Sequence, residues 1–166
     1  MLLLLTLLAA QTADPLAPAR EGMLRCIEPD TAKKNCRSII RYKPHDDGSF
    51  DATVSGFLGN DGRTIIVYET SGTIDGEQLC TVIRPYDILH GKLYRDGKPV
   101  SEADAQPIQD QLRIQLQDLA GKKRCTLDQT VGGRLVANVT LNGTVLLDQT
   151  QHIAWVSSQD GYALSW

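Results

Sequence analysis

Aromatic residues make up only 5% of the 166 positions, and there are three histidines. Metal and redox centres are poorly provided for. No Cys-x-x-Cys pair occurs, and no histidine lies three to five residues from a cysteine, the spacings that zinc sites and dithiol redox centres use. The nucleophile elbow Gly-x-Ser-x-Gly, Ser-x-x-Lys, His-Glu-x-x-His and a glycine-rich phosphate loop are missing, which lowers the case for an enzyme. The Asp47–Asp51 stretch lacks the residue order of an EF-hand loop. A net charge of -3 argues against a dedicated nucleic-acid binder. No metal, cofactor or nucleic-acid partner is expected.

Long apolar runs are also scarce. Met1 to Ala10 reads MLLLLTLLAA, and later runs such as Ile65-Ile66-Val67 or Val145-Leu146-Leu147 are much shorter. The first run is too short to span a bilayer and fits the apolar core of a secretory signal, although basic residues are missing before it. Ala17-Pro18-Ala19 matches the small-x-small cleavage pattern, with a cut after Ala13 as the alternative. The expected organisation is a signal peptide over residues 1–19 and one domain over residues 20–166, periplasmic or secreted, with no stable membrane insertion after cleavage.

The four cysteines, Cys26, Cys36, Cys80 and Cys125, agree with an oxidising compartment. Of the three possible pairings, Cys26–Cys36 and Cys80–Cys125 are favoured: one closes a short loop, the other ties a strand to the segment after the helix.

Asp-Gly and Asn-Gly steps punctuate the body at Asp47, Asp61, Asp75, Asp96, Asn142 and Asp160. Glycine takes positive φ without steric cost, so these are turns. Between them, Phe50, Ala52 and Val54 alternate with polar residues, and Ile65-Ile66-Val67-Tyr68 is apolar on both faces. Strands are predicted near residues 38–42, 50–55, 63–70 and 78–83, with three more after the helix and a small hairpin at Asp96-Gly97. A three-residue loop over Leu141-Asn142-Gly143 aligns the flanking apolar residues best. Ala105, Ile108, Leu112, Leu116 and Leu119 form one helical stripe over residues 105–120, with Asp104 as cap and Gly121 past the end. Lys122, Lys123 and Arg124 then suit the negative end of the helix dipole. The predicted fold class is α+β, a curved antiparallel sheet of about seven strands in hairpins with this helix packed on it and two disulfides.

Two His/Asp pairs, His90 with Asp87 and His45 with Asp46, are the candidates for acid–base chemistry. Residues 20–43 hold seven Lys/Arg against three Asp/Glu. Arg25, Lys33, Lys34, Arg37 and Arg41 could meet an anionic surface, or simply form a solvated face.

The run from Arg25-Cys26 to Asn35-Cys36, the lone Cys80, Gly121-Lys122-Lys123-Arg124-Cys125 after a helix, and Trp155-Val156 with Asp160-Gly161-Tyr162 resemble small exported proteins of Gram-negative, alphaproteobacterial bacteria. The resemblance implies a periplasmic location and carries over no activity and no site residue. The function expected is a non-enzymatic binding or protein-interaction module meeting another envelope protein or surface. The alternatives are an inhibitor of an envelope hydrolase and a small hydrolase-like enzyme using a His/Asp pair.

Overall fold

The computed structural model describes residues 14–59 and 62–164; the leucine-rich start of the expected signal lies outside these residues. The chain begins with α1 (Ala17–Arg20), β1 (Leu24–Ile27), β2 (Asn35–Cys36), β3 (Ser38–Pro44), β4 (Ser49–Phe57), β5 (Thr64–Asp75) and β6 (Gln78–Val82). A crossover holds α2 (Pro85–Leu89), β7 (Lys92–Arg95), β8 (Lys98–Pro99) and α3 (Glu102–Gln117). Then come β9 (Lys123–Val131), β10 (Arg134–Leu141), β11 (Thr144–Val145), a 3-10 turn (Leu147–Gln149), β12 (Gln151–Val156) and β13 (Ala163–Leu164).

Strands β1, β3, β4, β5, β6, β9, β10 and β12 pair antiparallel in chain order. The last returns to the first, with Leu24 opposite Val156 and Ile27 opposite Ile153. The result is a closed, eight-stranded up-and-down barrel. β7 and β8 extend from β5, β11 from β10, and β13 lies parallel to β2 in a separate pair.

This corrects the α+β reading of an open, curved sheet of about seven strands. Leu24-Arg25-Cys26-Ile27 is short and interrupted by a cation, so it carries no apolar alternation that would reveal a strand. Its partner β12 lies more than a hundred residues away in sequence. The single large helix is also not a sheet-packing helix. α3 has no fully buried residue; it leans on α2, where the Gln109 side chain donates to the Leu89 carbonyl at 3.2 Å.

Local expectations shift as well. The helix cap is Ser101, whose Oγ accepts from Asp104 N–H and donates to the Asp104 carboxylate. The helix thus starts a turn earlier than the Asp104 cap implied. Asn142 and Gly143 both adopt positive φ and join Leu141 to Thr144 in a two-residue turn, the geometry that suits strand twist. The bulged three-residue loop fails because the chain leaves this hairpin after Val145 through the 3-10 turn. β10 meets β12 instead, with Ala137 opposite Gln151. Lys122 to Arg124 do not cap α3 either, because Lys123 and Arg124 belong to β9.

Period-two alternation sends Ile40, Phe50, Ala52, Leu79, Ala137, Val139 and Ile153 into the barrel. At one end, Tyr42 packs edge-on to Phe50 with centroids 5.3 Å apart. Phe50 faces Gly72 across β4 and β5, and a Cβ at Gly72 would lie 2.5 Å from the ring and 2.3 Å from the Cys80 carbonyl. Only glycine permits that approach. Leu16, 0% exposed, closes the same end against Phe50, Ala52 and Leu79. Asp14 holds this segment by accepting from Leu16 N–H at 2.9 Å and from Arg20 at 2.8 Å.

A second core lies on the outer face of β1 and β12, where Leu24, Cys26 and Val156 meet Cys36 and Tyr162. The disulfides are Cys26–Cys36, which pins β2 over this face, and Cys80–Cys125, a directly opposed pair between β6 and β9. These are the pairs that the spacing favoured. Two disulfides mark an oxidising, extracytoplasmic compartment. Among the described residues no helix is long and apolar enough to cross a membrane.

Cleavage after Ala19 would remove Leu16 and most of α1, whereas cleavage after Ala13 would keep both. Leu16→Ala is expected to cost about 2–5 kcal/mol, the range for a buried leucine. A chain beginning at Arg20 should lose at least as much against one beginning at Asp14. Equal urea midpoints for the two chain lengths would show that Leu16 does not support the barrel.

Candidate functional site

The barrel encloses a cavity of about 310 Å³. Strands β1, β3, β4, β5, β6, β9 and β12 supply its walls, and the crossover residues Ile83, Arg84, Asp87 and Ile88 with Leu116 and Leu119 line it from outside the barrel ring. An opening on that side follows from the pairing. β5 meets β6 only over Gly72–Asp75 and β7 only over Thr64–Val67. Tyr68 to Ser71 therefore have no strand on that edge, and the crossover covers them with side chains. Arg84 donates to the Asp87 carboxylate at 2.8 Å and to Ser71 Oγ at 3.0 Å, and Thr70 donates to Asp87 at 2.9 Å.

Inside, the most buried charge is Arg25, 2% exposed. It faces inward because β1 alternates, which places Arg25 opposite both Trp155 and Ile40. Its guanidinium donates to Asp128 at 2.5 Å, to Tyr42 Oη at 3.1 Å and to Thr126 Oγ1 at 3.4 Å. Arg25 Nε and the second Asp128 oxygen are buried without a hydrogen-bond partner. Burial pushes the Asp128 carboxyl above its ordinary 3.8, and Arg25 pulls it only part of the way back.

Arg124 is the second cation on the wall. Its place in β9, opposite Thr81 on one side and Leu141 on the other, turns it inward together with Thr126 and Asp128. Burial lowers its proton affinity most, Arg25 adds repulsion, and Tyr42 and Tyr68 act in the opposite sense. A guanidinium nevertheless stays charged at physiological pH. Burial likewise raises the Tyr68 phenol, which stays neutral and keeps its proton. A wider groove of about 670 Å³ beside α1 combines Arg41 and Lys43 with Asp51 and Glu69. Its charges are mixed in sign and face solvent; the barrel cavity is the better-defined site.

The sequence-derived histidine pairs separate. His90 stacks on Tyr86 and its Nδ1 lies 2.9 Å from the Tyr86 carbonyl, while Asp87 is held by Arg84 and Thr70. His45 meets Asp51 at 3.0 Å, not Asp46, at an exposed hairpin. Among the described residues no cluster of His, Cys, Asp or Glu could hold a metal. Of the basic residues read as a surface, Lys33, Lys34, Arg37 and Arg41 are exposed, but Arg25 is in the barrel. The sequence signal for the interior site is the alternation Arg124-Cys125-Thr126-Leu127-Asp128, which gives a polar face without saying that the face is enclosed. No protein-family model, curated protein or solved structure matches this chain.

The raised Asp128 value means that the native state holds the proton more tightly than the unfolded chain. Its contribution is therefore greatest below pH 3.8 and is lost as pH rises through the folded value. Relative to Asp128→Asn, the wild type should lose stability as pH rises across that window. Arg25→Met, which strips a buried carboxylate of its cation, should cost about 3–5 kcal/mol at neutral pH. The double variant Arg25→Met/Asp128→Leu should recover most of that loss. Urea titrations of the four proteins from pH 3.5 to 7 check both statements; a double variant no better than Arg25→Met would contradict them.

Proposed function

We propose that this protein is a non-enzymatic periplasmic binding module that encloses a small molecule in its barrel. The observation that supports this reading is the cavity, built from a closed ring of strands with apolar walls and a few convergent polar groups. Eight-stranded barrels have interiors that side chains can fill, or that can hold one small ligand. Here Ala52, Thr70, Gly72 and Thr81 are small on the inward faces of β4, β5 and β6, and the space they leave is at the lower bound of ligand sites, about 300 Å³. Convergent polar groups on an apolar wall are what orient a small ligand. By contrast, His90 and His152 are exposed and His45 borders only a shallow, solvent-open groove.

The crossover is the natural entrance. It covers the edge from Tyr68 to Ser71 with side chains in place of a strand ladder, and α3 has no buried residue to anchor it. Ligand exchange by displacement of this segment would leave the barrel intact.

Val54 lines the cavity from β4, between Ile40 and Tyr68 in register. Val54→Phe should fill the site at a stability cost of about 1–3 kcal/mol, while weakening the binding of 1-octanol or octanoate measured by titration calorimetry. Unchanged affinity in a folded Val54→Phe protein would remove the barrel cavity as the binding site.

A further inference from the structure

The charges on the cavity wall do not balance. Arg25 is paired with Asp128, and Arg84 with Asp87. The Arg124 side chain has no hydrogen bond or ion pair among the described residues, and Arg25 stands close enough to repel it. The wall therefore carries one net positive charge, on a side chain with five N–H donors. Its nitrogens are not among the sealed-off polar atoms of the described residues, so water or a ligand can reach them, and a second guanidinium nearby favours an anion there. Tyr68 stands beside Arg124 with a neutral hydroxyl able to donate to the same acceptor. Around them the wall is apolar, with Ile40, Val54, Ile83, Leu116 and Leu119.

We infer that the barrel binds a small amphiphilic monocarboxylate, its carboxylate held by Arg124 and Tyr68 and its hydrocarbon part lying among Ile40, Val54, Leu116 and Leu119. This rests on the reading of the cavity as a ligand site. A single negative charge matches the single unbalanced cation; a phosphate dianion would leave one buried negative charge in excess, which is costly in a desolvated site. The size follows from the volume. At about 30 Å³ for each water-sized group, about 310 Å³ holds on the order of ten non-hydrogen atoms, the size of a medium-chain carboxylic acid.

The test is titration calorimetry of the oxidised protein with octanoate, 1-octanol, octylammonium and octyl phosphate, which share one tail. Charge-assisted hydrogen bonds to a buried acceptor correspond to about tenfold to a hundredfold in affinity. Octanoate should exceed octanol by that factor, octyl phosphate should bind more weakly than octanoate, and octylammonium should not compete. Arg124→Met should bring octanoate down to the level of octanol and leave octanol unchanged. Arg124→Lys keeps the charge and should retain a preference for the acid, so the inference stays testable if Arg124→Met fails to fold. Equal binding of octanoate and octanol, loss of acid preference in a folded Arg124→Lys, or equal losses of acid and alcohol in Arg124→Met would overturn the headgroup assignment and leave the cavity as a site for neutral molecules. Tighter binding of octyl phosphate would overturn the carboxylate in favour of a phosphate. Failure of all four probes would overturn the ligand-binding reading itself.

Discussion

The hydrogen-bonded ladder between β1 and β12 turns a meander of strands into a closed wall, and the other main features depend on it. Without that pairing, Arg25, Ile153 and Trp155 would face solvent at two sheet edges. With it, their faces are enclosed, the first and last strands of the ring are joined, and the short β1 strand is buried along its whole length. Closure also sets the conditions inside. A charge on an inward-facing position has left water and must find its partner across the barrel, which is what Arg25 does with Asp128 on β9.

The same geometry accounts for the unevenness of the interior. One end is filled by Leu16, Phe50, Leu79 and the Tyr42–Phe50 pair, with Gly72 allowing the ring to lie against the backbone. Toward the crossover the inward residues become small or polar, and the β5 edge from Tyr68 to Ser71 is sealed only by Arg84, Asp87 and their hydrogen bonds. A barrel plugged at one end and covered by a helical segment near the other is a container more than a solid core. The disulfides lie outside the cavity: one covers the outer face of β1, the other joins β6 to β9 beside the crossover. They stiffen the wall without taking up the interior.

Much of the local structure was legible in the sequence. Asp47-Gly48, Asp75-Gly76 and Asp96-Gly97 lie in turns between strands because those residues tolerate positive φ. The alternation at Phe50, Ala52 and Val54 correctly defined one face of β4, and the apolar stripe of α3 correctly left Ile114 outside, where it is 74% exposed. The Leu141–Thr144 turn was misread because register was judged from apolar alignment over a long hairpin, whereas β11 has only two residues. The candidate site was almost wholly hidden. Arg25 looked like part of a basic surface, and Arg124 looked like a helix-capping cation. Period-two spacing shows that two residues share a face; it does not show whether that face looks to water or across a barrel.

The sequence by itself determined the turns, most of the strands and the favoured cysteine pairing, because these depend on φ preferences, side-chain alternation and short-range spacing. Only the tertiary structure decided that the sheet closes, that α3 flanks a cavity in place of covering a sheet, and that two arginines far apart in sequence stand near each other in the interior. The reason is one of range. Local propensities act over a few residues, while closure requires β1 to meet β12 across more than a hundred, and the surroundings of an inward-facing charge exist only after that contact is made.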